Sequence, residues 1–450
     1  MKRIKSFIDR FNQPENILVV SSYPEKGIKY SGKVCAVGGF AKNTVESLLA
    51  EFKRRGEARK IVVLTVTTNG KEEIYEERKV LVIRCLKRNR LLSYLSLVGY
   101  LWQFNKVKKF LVEFEFASFG GIRMSLGFLG VLGIARVLGK RITLVLHQVV
   151  FDLGQLSGHL GFGQKSFKTR FFESMLAVYY RLICLPAEKI IVLEKEFKKR
   201  LSCLVAPQKI IVIPHGVDNS LKSVGKAEAR KKLGIGKSEK IILYFGYLTW
   251  YKGIDWLLKT YLQLTTNNLQ LIVAGGASFT QKDKPHYQRY LDNIYWLAKK
   301  NKIAITGFLP EDKIKLYFSA ADLVVLPYRS FMSSSGPLSM ALAWGKPFIL
   351  SQPLAQILAT KDFSQGLKEA GLCPKDLVFD LNQKSLAEKL RVLRNVRNLR
   401  KLAKLAKIMA KKRDFTNLSS SFVELLKAEE AVGDKNIIPA LKVTGMIESR

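Results

Sequence analysis

The sequence predicts an α/β protein made of two doubly wound domains, each with a parallel sheet. Short apolar runs rich in Val, Ile and Leu alternate with helical patterns of roughly 10–15 residues, which is the rhythm of βαβ units. The rhythm occurs twice, on either side of a stretch rich in Lys, Gly and Ala, Asn219–Ser238. The length of the chain also predicts two domains, because 450 residues are too many for one ordinary core.

The first half contains apolar patterns typical of buried strands at Ile17–Ser21, Ile61–Thr67, Val80–Arg84, Phe110–Phe116, Ile142–Leu146, Lys189–Leu193 and Lys209–Pro214. Helical patterns lie between them at Phe40–Arg55, Leu91–Asn105, Ile122–Leu138, Ser166–Leu185 and Glu194–Leu204. Ligands of such sheets bind at the carboxyl ends of the strands, which is where His147 and Gly120-Gly121 fall. A Gly-rich loop, Phe151–Lys165, contains His159, which carries no motif.

The second half repeats the pattern. Strands are predicted at Lys240–Phe245, Leu269–Ala274, Ile303–Leu309, Asp322–Pro327, Phe348–Leu350 and Asp376–Asp380, and helices at Ile254–Leu264, Tyr287–Lys300, Glu311–Ala320, Gly336–Trp344, Ser385–Asn395 and Leu399–Lys412. Asp322–Leu350 is the most informative stretch, because a strand, a loop ending in three serines, a helix and a second strand follow one another there. The backbone N–H groups at that helix start have no intrahelical partner, and a phosphate suits them well.

These patterns set the predicted domain boundaries. We expect an N-terminal domain over residues 1–218, a linker over 219–238 and a C-terminal domain over 239–414. Residues 415–431 are predicted to be a final helix that packs back on the N-terminal domain. Residues 432–450 follow the last helical pattern and are predicted to be a flexible tail.

The chain is strongly basic, with 75 Lys and Arg against 37 Asp and Glu and a formal charge of +38. Such a field attracts phosphates, anionic lipid surfaces or nucleic acid, and a generally basic proteome is the alternative explanation. No recognised RNA- or DNA-binding motif is present and the aromatic residues fall mostly in apolar runs. We therefore predict no nucleic-acid partner, and a basic nucleic-acid-binding protein is the weaker alternative.

The five cysteines are scattered and contain no Cys-x-x-Cys pair. This pattern predicts neither a zinc site nor a disulfide framework, and it favours a reducing compartment. The N-terminal residues are basic and then polar, without the apolar core of a secretory signal. We therefore expect a cytoplasmic protein.

Two apolar stretches bear on membrane association. Leu91–Asn105 and Met124–Ala135 are the longest without a charge, and both are shorter than the ~18–20 residues that span a bilayer. Leu91–Phe110 carries Tyr94, Tyr100, Trp102 and Phe104, with Lys106, Lys108 and Lys109 behind them, a mixture that suits a membrane interface. A peripheral helix at the inner face of the membrane and an ordinary core helix both remain open.

Several short motifs then resemble a known family through their order and spacing over about Ile17–Ala431. They are Gly38-Gly39 before a helix, FEFASFGG at Phe114–Gly121, His147 at a strand end, IPHGVD at Ile213–Asp218, GYLTWYKG at Gly246–Gly253, AGG at Ala274–Gly276, TGFLPEDKIKLYFSAADLVVLPY at Thr306–Tyr328 and ALAWGKPFI at Ala341–Ile349. Together they resemble the retaining GT-B glycosyltransferases of family 4. The resemblance implies two Rossmann-like domains facing a cleft, a nucleotide-sugar donor bound by the C-terminal half and an acceptor bound by the N-terminal half.

The resemblance assigns donor binding to Gly246, Lys252, Ser334, Ser335 and Gly336. A fixed lysine fits this role because the leaving nucleoside diphosphate develops negative charge. An exposed lysine and a solvated serine-rich turn are the alternatives for these positions.

On the acceptor side, the resemblance makes His147 the residue that orients the transferred sugar. Gly38, Gly39 and Glu115 are the acceptor candidates. A histidine satisfied within the core, a flexible glycine loop and a buried, paired carboxylate are the respective alternatives. His215 lies in a family turn and is predicted to be structural.

Three positions depart from the family pattern. Tyr247 stands where an arginine is usual, and Met332 and Met340 stand where the family has two glutamates. Thioethers are poor acceptors for sugar hydroxyls. A retaining reaction in which the donor phosphate takes the acceptor proton needs no protein base, so activity is compatible with both methionines; a catalytically inactive GT-B scaffold is the alternative.

With the resemblance, we expect a hexosyl transfer to a lipid-linked or polysaccharide acceptor. The basic charge and the aromatic-basic segment Leu91–Lys109 predict an anionic membrane surface as partner. No cofactor or metal is expected, because no Asp-x-Asp pair is present.

Overall fold

The computed structural model describes residues 2–116, 118–154, 167–221, 223–264 and 268–431, and the chain divides into two compact units. Unit 1 comprises Met1–Phe151, Ser174–Pro214 and the chain from Phe415 onward, and unit 2 comprises Asp152–Glu173 and His215–Asp414. Each unit is organised around its own sheet.

Unit 1 contains an eight-stranded sheet with the order β3-β4-β2-β1-β5-β6-β7-β8. Its strands are β1 Ile17–Val20, β2 Ile61–Val66, β3 Glu73–Glu77, β4 Val80–Leu86, β5 Lys109–Phe114, β6 Arg141–Leu146, β7 Ala187–Val192 and β8 Ile210–Val212. The helices along these segments are α1 Lys2–Phe11, α2 Val37–Arg54, α3 Ser93–Gln103, α4 Ile122–Val137, α5 Phe167–Cys184, α6 Lys195–Leu201 and α15 Phe415–Ala431. Only the edge strand β3 pairs antiparallel, with β4.

The central strands of unit 1 are buried along their whole length because helices cover both faces of the sheet. One core cluster joins β1 and β2 to α2 and α15, through residues such as Phe40, Leu48, Phe415 and Phe422. The connections from β4 through α3, α4 and α5 to β7 run across the sheet in the direction opposite to that of β1-α2-β2. Since such crossovers are right-handed, α3, α4 and the unit 1 part of α5 lie on the face opposite α2.

Unit 2 contains a six-stranded parallel sheet with the order β11-β10-β9-β12-β13-β14. Its strands are β9 Lys240–Phe245, β10 Leu269–Ala274, β11 Ala304–Ile305, β12 Leu323–Leu326, β13 Phe348–Ser351 and β14 Val378–Phe379. Its helices are α7 Lys226–Lys232, α8 Ile254–Leu262, α9 Pro285–Lys300, α10 Glu311–Ala320, α11 Gly336–Ala343, α12 Lys361–Ala370, α13 Gln383–Leu390 and α14 Val396–Lys412. Short 3-10 helices occur in unit 2 at Trp250–Lys252, Gln352–Ala359, Pro374–Asp376 and Arg391–Arg394, and one occurs in unit 1 at Pro207–Lys209. The strand order reverses between β9 and β12, which makes their carboxyl ends the expected ligand edge.

The predicted linker is corrected by the structure. Residues 219–238 contain α7 and belong to the long segment of unit 2, His215–Asp414, which begins at His215 rather than after residue 218. The segment has few large apolar side chains because α7 is a short helix that buries Ala229 against Leu316 and Ala320 of α10 and is further held by an ion pair. By composition alone, residues 219–238 therefore resemble a linker.

Other expectations also change in detail. Gly38 and Gly39 lie inside α2, which begins at Val37, and the predicted strand over Ile303–Leu309 is only the two-residue β11. The polar edge strand β3 was not predicted, since its face is only half-buried. His159 and the predicted tail over 432–450 lie outside the described residues. Among the described helices, none has both the length and the apolar content to cross a membrane.

A buried ion pair ties α7 to the sheet of unit 2, and its removal is expected to be costly. Asp322 accepts hydrogen bonds from the Arg230 guanidinium at 2.7 Å and from the Ile241 N–H at 2.8 Å, and it also pairs with Lys226. Although burial alone would raise it, these partners hold the pKa of Asp322 below its usual value. We expect Asp322→Asn to lower the free energy of unfolding by about 3 kcal/mol near pH 7, because Arg230 loses its charged partner while buried.

Urea denaturation measures this effect, with the exposed Asp292→Asn in α9 as control. A carboxylate with a lowered folded-state pKa stabilises the fold above its unfolded-state pKa of about 4 and loses that effect as the pH falls through the folded-state value. The difference between wild type and Asp322→Asn should therefore shrink below about pH 4. A stability difference between wild type and Asp322→Asn that is the same near pH 7 and below about pH 4 would contradict this account.

Candidate active site

The loop after β9 places backbone rather than side chain at the ligand edge of unit 2. Gly246 has a φ of +128° and Gly253 a φ of +71°, which are conformations that other residues rarely adopt. A Cβ at Gly253 would lie 2.0 Å from the Pro327 carbonyl oxygen, and one at Gly275 would lie 1.9 Å from the Gly246 oxygen. The loops after β9, β10 and β12 therefore approach one another so closely that only glycine fits at these contacts.

An arginine fixes two of these loops together. Both Arg329 guanidinium nitrogens bond Asp255 carboxylate oxygens at 2.7 Å, and one also donates to the Trp250 carbonyl at 3.1 Å. The Arg329 N–H donates to the Tyr251 carbonyl at 2.7 Å. Such a bidentate pair fixes orientation as well as distance, so the loop after β12 has a defined register against the turn that precedes α8.

Lys252 lies at the centre of this arrangement. Its side chain is buried, and its Nζ lies 3.1 Å from the point that a Gly246 Cβ would occupy. Pro337 Cγ, in the first turn of α11, lies 3.0 Å from that same point. The Nζ also lies 5.7 Å from the Tyr247 ring centre and 5.8 Å from that of Tyr251. Lys252 is thus adjacent to the start of α11 and is not the exposed lysine of the alternative interpretation.

The serine loop before α11 is ordered by its own hydrogen bonds. Ser335 is buried and caps the helix, because its Oγ accepts from the Leu338 N–H at 3.1 Å. The Tyr328 hydroxyl lies 2.9 Å from the same Oγ, and burial raises the pKa of Tyr328 far above its usual value. Ser334 Oγ is also buried but has no hydrogen-bond partner among the described residues. The solvated-turn interpretation is therefore wrong for Ser335, and Ser334 carries an unsatisfied polar atom beside the helix start.

The family departures have structural roles of their own. The Tyr247 ring packs against Phe308 with centroids 6.3 Å apart, and the Tyr247 carbonyl accepts from the Tyr244 hydroxyl at 3.0 Å. Met340 is buried within α11, and Met332 is half-buried in the serine loop. His215 reaches α11 from the start of unit 2, with its Nδ1 2.8 Å from Ser339 Oγ, which fits its predicted structural role.

In unit 1, His147 follows β6 at the carboxyl edge of the sheet. It is buried, and its Nε2 lies 2.5 Å from an oxygen of Glu113, which is fully buried on β5. The Phe40 ring meets the imidazole edge-on at 4.7 Å. The other Glu113 oxygen has no hydrogen-bond partner among the described residues. His147 is therefore held in one orientation by a carboxylate and a ring.

The acceptor candidates are arranged less simply. A Cβ on Gly38 would lie 2.9 Å from Val34, and one on Gly39 would lie 2.9 Å from the Tyr30 ring, so both glycines allow close packing against the loop before α2. Glu115 is half-buried and accepts a hydrogen bond from the Cys35 thiol at 3.0 Å. Burial and the neighbouring carboxylate raise the pKa of Cys35 well above its usual value, which keeps the thiol protonated as the donor. Glu115 is thus a paired carboxylate at the strand end.

Sequence reasoning missed the residues that support the site. Glu113 and Arg329 belong to no motif that signals a partner, and neither does Asp255. A weak signal existed for Glu113, because a carboxylate in the middle of an apolar strand needs a partner when buried. Within the described ranges, no three His, Cys, Asp or Glu side chains are grouped as metal ligands would be.

The close contact at Gly253 can be tested with a matched pair of variants. Gly253→Ala should lower the free energy of unfolding by about 3 kcal/mol or more, since it adds both the strain of a positive φ and a clash with Pro327. Gly307 has the same φ, +72°, but no atom lies within 4 Å of its Cβ position, so Gly307→Ala should cost only about 1–2 kcal/mol. Thermal unfolding of both variants provides the comparison. Equal losses of stability would show that the Pro327 contact adds nothing to the cost of Gly253→Ala.

Part of the chain is similar in sequence to a family of known proteins. Residues 225–370, which cover most of the candidate site, match the family described as glycosyl transferases group 1. An uncharacterized glycosyltransferase of Methanocaldococcus jannaschii is 30% identical over 173 residues, which are 36% of this chain and 42% of that protein. The chain therefore matches less than half the length of this relative.

Solved structures match over nearly the whole chain. Sucrose-phosphate synthase from Thermosynechococcus elongatus has a TM-score of 0.68 at 16% identity and covers 93% of this chain and 100% of its own. HepE of Anabaena, solved in complex with UDP-glucose, has a TM-score of 0.61 at 15% identity and covers 92% of this chain and 99% of its own. The chain has the GT-B fold of glycosyltransferases, and its residues 225–370 match the glycosyl transferases group 1 family.

Proposed function

We propose that this protein is a retaining glycosyltransferase that moves a sugar from a nucleotide-sugar donor to a lipid-linked or glycan acceptor. The observation that carries the proposal is the convergence of Lys252 Nζ, the Gly246 backbone and the first turn of α11 in unit 2. A buried cation beside the N-terminus of a helix is suited to a diphosphate. HepE of Anabaena, whose fold is similar, has been solved with UDP-glucose, which supports a donor of this class.

The proposed donor site uses three groups. Lys252 neutralises charge that develops on the leaving diphosphate, the Gly336 N–H donates to a phosphate oxygen, and the unsatisfied Ser334 Oγ supplies a further hydrogen bond. Tyr247 contributes a ring instead of the usual second cation. Because Met332 and Met340 supply no carboxylate, we propose that ribose and sugar hydroxyls are bound through the serine loop.

The proposed reaction needs no protein base. The bond between the anomeric carbon and the donor phosphate oxygen breaks, the acceptor oxygen bonds that carbon on the same face, and the acceptor proton passes to the phosphate. His147 is proposed to contact the transferred sugar, with Glu113 fixing its ring orientation. Gly38, Gly39 and Glu115 are proposed for the acceptor.

We also propose that the reaction occurs in the cytoplasm at the inner face of the membrane and requires neither a metal ion nor a nucleic acid. The high positive charge supports an anionic surface as partner. One alternative has a specific observation in its favour: Met332 and Met340 would suit a GT-B scaffold that binds a partner without catalysis. Transfer or hydrolysis of any nucleotide sugar distinguishes the two.

Donor binding should depend on Lys252. We expect Lys252→Met, which keeps the length of the side chain, to weaken binding by about tenfold or more because the diphosphate loses its cation. Thermal shift with UDP-glucose and a panel of other nucleotide sugars measures this, with the exposed Lys259→Met in α8 as control. A folded Lys252→Met variant that binds as tightly as the control would remove Lys252 from the donor site.

His147 and Glu113 should act as one unit. Each of His147→Asn and Glu113→Gln is expected to lower kcat by about tenfold or more while leaving donor binding nearly unchanged, since both disturb the same imidazole orientation. The double variant should lose little more than either single one. Independent, multiplying losses would indicate that Glu113 does not act through His147.

A further inference from the structure

Helices α3 and α4 and the unit 1 part of α5 form a continuous layer on one face of the unit 1 sheet. The Tyr94 hydroxyl of α3 donates to the Met124 carbonyl of α4 at 2.9 Å. The Tyr179 hydroxyl of α5 donates to the Ser125 carbonyl of α4 at 3.1 Å. A Cβ on Gly127 would lie 2.7 Å from the Leu91 side chain, so α3 and α4 also pack closely at that glycine.

Each helix of this layer already buries one apolar face against the sheet. The inward residues are Leu97 and Leu101 of α3, Phe128, Val131 and Leu132 of α4, and Tyr180 and Ile183 of α5. The outward residues are a separate set, and an outward face in water is normally polar.

The outward face is nevertheless apolar. Leu92 is 78% exposed, Trp102 66% and Val137 87%. The other exposed apolar side chains of the three helices are Leu95, Ile122, Leu126, Ile134, Met175, Val178 and Leu182, and Leu91, like Leu92, lies just before α3. An exposed patch drawn from three adjacent helices is much larger than the scattered apolar residues of an ordinary surface, and such patches mark interaction sites.

Most of the charged side chains around this surface are basic. Neither α3 nor α4 contains an acidic residue. Exposed basic side chains lie before α3 at Arg90, between α3 and β5 at Lys106 and Lys108, within α4 at Arg123 and within α5 at Arg181. Arg136 is exposed as well but is paired with Glu188.

We infer that the outward face of α3, α4 and the unit 1 part of α5 is a docking surface for an anionic lipid bilayer. Its apolar side chains enter the boundary between head groups and acyl chains, and the basic residues contact anionic head groups. A second copy of this chain is a poorer occupant, because a symmetric interface would bring one basic rim against another. The inference deepens the proposed membrane location and rests on it, and it names the elements that make the contact.

Vesicle flotation with the full-length protein tests the surface. Vesicles of phosphatidylcholine with about a third phosphatidylglycerol should bind the protein, and vesicles of phosphatidylcholine alone should bind it about tenfold or more less tightly. The variant Leu95→Ser/Trp102→Ser should weaken binding to the anionic vesicles by about tenfold or more. The matched control is Trp296→Ser in unit 2, where the tryptophan is 59% exposed, and it should bind like wild type.

A second variant separates charge from apolar contact. Arg90→Glu/Arg123→Glu should also weaken binding by about tenfold or more, and high salt should reduce wild-type binding only in part because the apolar contacts remain. Complete release by salt, or equal binding by the Leu95/Trp102 variant and its control, would overturn the inference. A dimer in analytical ultracentrifugation that the Leu95/Trp102 variant converts to monomer would assign the surface to a second copy instead.

Donor binding provides the separate readout. Because the docking surface lies in unit 1 and away from the unit 2 donor residues in sequence, the nucleotide-sugar thermal shift should be unchanged in both docking variants. If a docking variant loses flotation and keeps donor binding, the substitution affects only the membrane contact. If wild type binds no nucleotide sugar, only the proposed activity fails.

Discussion

The close backbone approach between strand-end loops in unit 2 is the constraint on which the candidate donor site depends. At the contacts of Gly253 with Pro327 and of Gly275 with Gly246, a single added carbon would overlap a carbonyl oxygen. Arg329 and Asp255 hold two of the same loops by a bidentate ion pair. With these loops fixed, Lys252 has one position in which its charge lies beside the first turn of α11.

Lys252 is a buried cation at that position. It lies among aromatic rings, which stabilise a cation less than water does. Ser334 has an unsatisfied polar atom, because its Oγ is buried without a hydrogen-bond partner among the described residues. Buried polar groups of this kind commonly mark sites where stability has been exchanged for binding. In the function that we propose, a diphosphate at the helix start would accept a hydrogen bond from Ser334 Oγ and lie beside the Lys252 charge.

In unit 1 the candidate side chain at the strand end is held by a partner within the protein. There a histidine at a strand end is already paired, and its partner Glu113 is fully buried on the adjacent strand. Pairing fixes the ring, so His147 is prepared to contact a ligand without reorganising. The outer layer of this unit differs from both sites, because its apolar residues are left exposed and its charges are basic. The membrane contact that we propose would account for that combination.

The sequence by itself determined the α/β class, both parallel sheets and most of their strands. Apolar runs and helical spacing are set by residues that are neighbours in the sequence. It also predicted strand-end positions for Lys252, the serine loop and His147, since each occurs in a recognisable motif. It misassigned 219–238, where α7 is stabilised by the Arg230–Asp322 pair across about 90 residues rather than by its own composition.

Only the tertiary structure decided which of the candidate residues meet and what supports them. The partners of His147, Glu115 and Arg329 come from distant positions, and a single sequence carries no record of which pairs are in contact. The direction in which the apolar residues of α3 and α4 face was likewise decided by packing, because those helices contain apolar residues on most sides. Which of these side chains the sheet buries depends on the neighbours that the fold brings to them.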